Sequence, residues 1–184
     1  LAGYLIGVVN FEIQELIFLI IGGFLVTGSA NGFNQILEKD YDRLMERTSN
    51  RPLPTNKIPY VNAVIFSFII GVVGLYFLSM IKPHGSFYGF LSKSSAFGLL
   101  SLLIYVLSYT PLKRMSTASI FIGAIPGAIP VLLGWVAATD EFGLAVGILF
   151  AVQFLWQFPH FIAISWVRDA EYKNAGFKMI YGGK

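Results

Sequence analysis

Hydrophobic residues in this chain fall into long runs broken by short polar stretches, the layout of helices stacked across a bilayer. Residues 1–9 read as the end of one apolar helix, and residues 10–15 as a polar turn. Further spans are predicted over 16–37, 58–81, 94–110, 119–138 and 143–167, the fourth with an alternative start at Phe87. Between them lie a charged stretch at 38–57, a loop at 82–93 containing Pro83, His84 and Gly85, a tight basic turn at 111–116 and a short turn at 139–142. A polar end follows at 168–184. Most of the apolar runs match the roughly 20 residues a helix needs to cross the hydrocarbon layer. They lack the alternation of a membrane β-barrel. Backbone facing lipid must satisfy its own hydrogen bonds, so the pattern predicts an all-α, polytopic transmembrane bundle.

Composition agrees: of 184 residues 55% are hydrophobic and 12% charged, with a mean hydropathy of +0.68. There is no cysteine, which removes disulfides, thiolate nucleophiles and zinc–thiolate sites from these residues. A net charge of +3 without a basic helix or arm gives no support for nucleic-acid binding. The positive charges are sorted by loop. Lys39, Arg43, Arg47, Arg51, Lys57, Lys113, Arg114, Arg168, Lys173, Lys178 and Lys184 follow the second, fourth and sixth spans, and only Lys82 and Lys93 lie in the opposite loops. The positive-inside rule puts the first set in the cytoplasm of a bacterium, or in the matrix of a mitochondrion.

The polar chemistry concentrates at one helix end. Glu38 and Asp42 are four residues apart, and Asn34 lies one turn earlier on the same face if the helix runs through. Carboxylates and an amide beside water suit a hard cation such as Mg²⁺. Arg47 and Arg51, just beyond, suit phosphate oxygens. The plainer reading is a solvated, salt-bridged loop. Against it, Asn31, Asn34 and Gln35 carry amides into the apolar run, which is costly unless they face a polar cavity. A second polar face is predicted on the sixth span from Gln153, Gln157 and His160, with Asp169 and Glu171 just past its end. His160 is either a hydrogen-bonded interior histidine or a functional group. The Tyr109–Arg114 turn is either a topology signal or an anion contact. Gly123, Pro126, Gly127 and Pro130 read as a kinked packing helix, and His84 as a solvated loop residue.

The pattern Asn34-x3-Glu38-x3-Asp42-x4-Arg47-Thr48-x2-Arg51-Pro52 resembles the signature of the UbiA family of intramembrane prenyltransferases. In that family an acidic pair at this spacing binds Mg²⁺ bridging a prenyl diphosphate. Glu38 stands where Asp is commoner, and Asp40 is an additional acid. The family's second motif has two Asp flanking a Tyr. Asp169 and Tyr172 match its first half, Gly176 occupies the second Asp position, and Glu171 is the available substitute. The resemblance implies metal ligands among Glu38, Asp40, Asp42, Asp169 and Glu171, and diphosphate contacts from Arg47, Arg51, Lys113 and Arg114. It implies catalytic roles for Asn34, Glu38, Asp42, Arg47 and Arg51.

Residues 123–130 and 133–136, with Trp156, Gln157, Pro159, His160 and Phe161, resemble the branch that transfers farnesyl from farnesyl diphosphate to a vinyl group of haem b. The resemblance implies acceptor contacts from Gln157 and His160, with farnesyl diphosphate, haem b and the lipid bilayer as partners, and leaves protein partners open. Residues 1–184 are expected to be one transmembrane domain of the UbiA type, incomplete in its first span and lacking C-terminal spans. Two alternatives stand beside this: a prenyltransferase of the same fold with an aromatic acceptor such as 4-hydroxybenzoate, and a non-enzymatic transporter.

Overall fold

The computed structural model describes residues 1–82 and 92–178, and among these the chain is helical with no strand. In order come α1 (Ala2–Gly7), α2 (Ile13–Leu37), the single-turn helices α3 (Lys39–Asp42) and α4 (Glu46–Ser49), and α5 (Tyr60–Ser79). Then α6 (Lys93–Leu103) runs through a π-helical stretch (Ile104–Tyr109) into α7 (Thr110–Leu112), followed by α8 (Ser119–Thr139), α9 (Leu144–Val167) and α10 (Asp169–Asn174). Five of these units are long and apolar enough to cross a bilayer, taking α6 through α7 as one.

The spans agree with the hydropathy reading, and the departures have local causes. Helix α2 begins at Ile13, inside the stretch read as a turn, with Glu15 in its first turn. A carboxylate is favoured there by the helix dipole, and Glu15 also pairs with Lys82 at 3.4 Å. The 38–57 stretch is not plain loop, because α3 and α4 fold within it. Pro59 precedes the first residue of α5 and sets its start. The Phe87 alternative and the assignments for Pro83, His84, Gly85 and Lys184 lie outside the described residues.

Helix α8 is central and α9 peripheral: 56% of the α8 span is buried against 6% of the α9 span. Small side chains let neighbours approach α8, and Pro126 and Pro130 sit inside it. The main core joins Tyr4, Leu19, Val26, Leu78, Ile129 and Leu133 from α1, α2, α5 and α8. Helices α2 and α5 meet through small residues: Ser29 Oγ donates to the Ser67 carbonyl at 2.8 Å, and Gly22 and Gly74 face the opposing helix. A smaller cluster of Met45, Ile120, Ala175 and Phe177 gathers where α4, α8 and the segment after α10 meet, beside the acidic end of α2.

Candidate active site

The α-helix of α2 stops at Leu37, yet its hydrogen-bond rhythm continues. The Glu38 N–H donates to the Asn34 carbonyl at 2.9 Å, and the Asp42 N–H to the Glu38 carbonyl at 2.8 Å. The face sharing expected from the spacing is therefore kept across the break, and Asn34, Glu38 and Asp42 line one cavity of about 110 Å³. The same cavity is lined by Arg47, Arg51 and Lys113, by Tyr109 and Tyr172, and by Met45 and Phe177. Thr48, fully buried, donates its hydroxyl to the Asp42 carbonyl at 2.9 Å and ties the Arg-bearing loop to the acids.

Each acid faces a cation. Asp42, 1% exposed, accepts from Arg51 Nη1 at 2.8 Å. Glu38, 5% exposed, has Lys113 Nζ 2.5 Å from Oε1. Glu38 Oε1 is thus ion-paired, while Asp169 Oδ1 and Glu171 Oε2 are buried acceptors with no hydrogen-bond donor. Buried acceptors without donors favour a nearby positive charge. Glu171 faces Arg168 at 3.4 Å and Arg47 at 4.0 Å, so α10, which follows α9, meets α4, which follows the acidic end of α2, beside this cavity. This gathering of acids at one end of the bundle is unlike the mid-membrane acids of an ion-coupled transporter.

Among the described residues no three of His, Asp and Glu converge to cage a metal unaided. Mg²⁺ is usually held by one or two carboxylates, with substrate phosphates completing its shell. Two buried acids on a wall shared with Arg47, Arg51 and Lys113 fit that arrangement. The remaining expected residues stand further off. The Asp40 side chain is 82% exposed and pairs with Arg43 at 3.5 Å, outside the cavity. Asp169 pairs with Lys173 at 2.7 Å. Arg114 lies over the Tyr41 ring, 4.6 Å from its centroid. Gln35 is on the other flank of α2, lining a separate groove with Asn62 and Ser67, so it does not extend the Glu38–Asp42 row.

A second cavity, about 300 Å³, is largely apolar and includes Asn31, Tyr105, Pro126, Gln157, His160 and Phe161. Gln157, buried, donates from Nε2 to the Gly127 carbonyl at 3.4 Å; a side chain at Gly127 would strike it. Tyr109 lines both cavities and separates the ionic pocket from the apolar one.

Met45 and Phe177 of the ionic cavity drew no reading from sequence, and Tyr109 and Tyr172 were read only as members of their motifs. Tyr109 carried a usable signal, since it precedes Lys113 by one helical turn. Phe177 arrives because Gly176 adopts φ +75°, a left-handed turn that sends the chain back over the pocket. The glycine that replaces an expected acid is thus a hinge of the wall. The Tyr172 phenol is pushed up from its ordinary pKa, first by burial and then by the Glu38 and Glu171 carboxylates, with Arg47 and Arg168 opposing. It therefore stays protonated near neutrality and remains a donor.

The sequence profile of the UbiA prenyltransferase family matches residues 1–181. A protein named protoheme IX farnesyltransferase from Flavobacterium psychrophilum is 46% identical over 187 residues, covering 100% of this chain and 59% of that protein. Its namesake from Cytophaga hutchinsonii is 48% identical over 166 residues, covering 90% of this chain and 55% of that protein. The chain thus spans well under two thirds of these relatives' lengths. A UbiA homolog from Archaeoglobus fulgidus, with a structure bound to GPP and Mg²⁺, superposes with a TM-score of 0.77 at 19% identity, covering 98% of this chain and 61% of that one. The apo UbiA homolog from Aeropyrum pernix K1 gives 0.71 at 22% identity, covering 97% and 64%. These two likenesses establish a shared fold.

Proposed function

The chain belongs to the UbiA prenyltransferase family, and from that premise we propose that it is part of an enzyme that farnesylates haem b. Farnesyl diphosphate, haem b and water give hydroxyethylfarnesyl haem and diphosphate, with the new carbon–carbon bond at a haem vinyl group. The observation that carries the reading is one ionic cavity beside one apolar cavity, with Tyr109 between them. An amphiphile with an anionic head and an oily tail matches that pairing. The names borne by relatives identical at 46% and 48% support haem as the acceptor.

Glu38 and Asp42 would hold Mg²⁺, with Glu171, 4.0 Å from the cavity-lining Arg47, the next acid to assist. When bound, the ion neutralises negative charge on the diphosphate, which makes it a better leaving group. Arg47, Arg51 and Lys113 bind the same diphosphate and stabilise the charge it gains as the allylic carbon–oxygen bond breaks. Asn34 lines the same wall and orients the head group. The apolar cavity keeps water from the allylic cation until the vinyl group attacks. His160 and Gln157 face the acceptor side. Ten of the described Lys and Arg lie at the acidic end, with Lys82 and Lys93 opposite, so this end faces the cytoplasm in a bacterial membrane.

The test is to incubate full-length protein with haem b, farnesyl diphosphate and Mg²⁺ and to weigh the pigment, with 4-hydroxybenzoate offered in parallel. A haem heavier by one farnesyl group and one hydroxyl group is expected. A prenylated benzoate with unchanged haem would refute the acceptor assignment. His160→Ala should weaken haem binding by ~10-fold, equivalent to about 1.4 kcal/mol, while farnesyl diphosphate binding stays near wild type. Equal losses for the two ligands would remove His160 from the acceptor site.

A further inference from the structure

Among the described residues the chain forms one π-helical stretch, Ile104–Tyr109, and Thr110 follows it directly. A π-turn accommodates one more residue than an α-turn. Thr110 is fully buried, and its N–H donates to the Tyr105 carbonyl, five residues back. Its hydroxyl donates to the same carbonyl at 2.8 Å. In an ordinary α-helix a threonine hydroxyl reaches the carbonyl three or four residues back. The bond seen here belongs to the π register. The hydroxyl oxygen also accepts from Asn34 Nδ2 at 3.3 Å. One hydroxyl thus joins the polar row of α2 to the π-turn.

What the register decides lies three residues further on. Slipping it by one residue would rotate everything beyond by about 100°. In the observed register Lys113 Nζ reaches Glu38 Oε1 at 2.5 Å and lies 4.9 Å from the Tyr109 ring centroid. The Lys113 carbonyl accepts the Lys178 N–H at 2.8 Å, which fastens the Phe177 wall to the same turn. The Tyr109 ring rests on Gly123, where a Cβ would come within 2.6 Å of it.

The geometry points to Thr110 as a positioning residue for diphosphate binding. Its hydroxyl holds the π register that turns Lys113 and Tyr109 toward the ionic cavity, although Thr110 does not line that cavity. This role rests on the diphosphate reading of the cavity given above and adds a residue to it.

The experiment measures equilibrium binding of farnesyl diphosphate with Mg²⁺, and of haem b separately, to full-length protein. Thr110→Val keeps the shape and removes the hydroxyl, and should weaken farnesyl diphosphate binding by ~10-fold or more, with a clearly smaller loss of haem binding, because Tyr109 also lines the apolar cavity. Thr110→Ser restores the hydroxyl and should return binding to within about twofold of wild type. Thr110→Ala should behave as the valine variant does, and replaces it if valine inserts poorly. Unchanged farnesyl diphosphate binding in the valine variant, failure of serine to rescue, or an equal loss of haem binding would overturn the positioning role alone. Wild-type protein that does not bind farnesyl diphosphate would overturn the functional reading, and this role with it.

Discussion

Full-length protein carrying Asp42→Ala will insert into the membrane and lose farnesyl transfer by ~10³-fold or more, the scale expected when a group that stabilises charge in the transition state is removed. Asp42 is 1% exposed, lines the ionic cavity and accepts from Arg51 Nη1 at 2.8 Å. Its removal takes away one of the two carboxylates that fit a metal and frees a guanidinium inside the pocket. The backbone should survive the change. The Asp42 carbonyl still accepts from Thr48, and the half-buried Arg51 can turn to water. Asp42→Asn keeps the shape and an acceptor for Arg51 but removes the charge, so it should fail almost as badly. The measurement is turnover against Mg²⁺ concentration, with membrane insertion checked in the same preparations. Turnover near wild type at any Mg²⁺ level would show that the diphosphate is held by other groups.

Gly74→Val should damage the fold severely. A Cβ at Gly74 would lie 2.8 Å from the Val26 backbone nitrogen and 2.9 Å from the Leu25 Cβ. The nearest obstacle is main chain, so no rotamer change relieves it, and α2 and α5 must separate. Separation would also break the Ser29–Ser67 hydrogen bond and unpack Gly22 from Leu78. Overpacking of this kind costs about 3 kcal/mol. Because α2 carries Asn34 and leads into Glu38 and Asp42, activity should fall with stability. Gly23 makes the internal control, since a Cβ there meets nothing within 4 Å. Gly23→Val should leave the midpoint of thermal unfolding in detergent close to wild type, while Gly74→Val lowers it by many degrees. Similar midpoints for the two variants would mean that the α2–α5 approach is looser than its geometry indicates.

Several features of the site were legible before any coordinates because they are local. A four-residue spacing survives a helix break if the hydrogen-bond rhythm survives, and so Glu38 and Asp42 share a wall. Arg47, Arg51 and Lys113, singled out by charge or by the family pattern, line that same wall. Asp40, Arg114 and Gln35 do not line that wall. Side-chain direction over a single turn decides whether a residue lines a cavity, stacks on Tyr41 or faces Asn62, and composition does not carry direction. Phe177 was invisible for another reason: it reaches the pocket only through the Gly176 reversal after α10.

By itself, the amino-acid order determined the helical spans, the gathering of basic residues in alternate loops, and the acidic and arginine pattern at the end of α2. Those properties depend on neighbours in the chain, and crossing the hydrocarbon layer is a condition each segment meets alone. Only the tertiary structure decided which stripe of each span is buried, because a membrane protein's interior is as apolar as the lipid around it and hydropathy cannot tell them apart. The choice fell to shape instead. Gly22, Ser29 and Gly74 let α2 and α5 close, α8 took the centre, and the π-turn before Thr110 aimed Lys113 at Glu38.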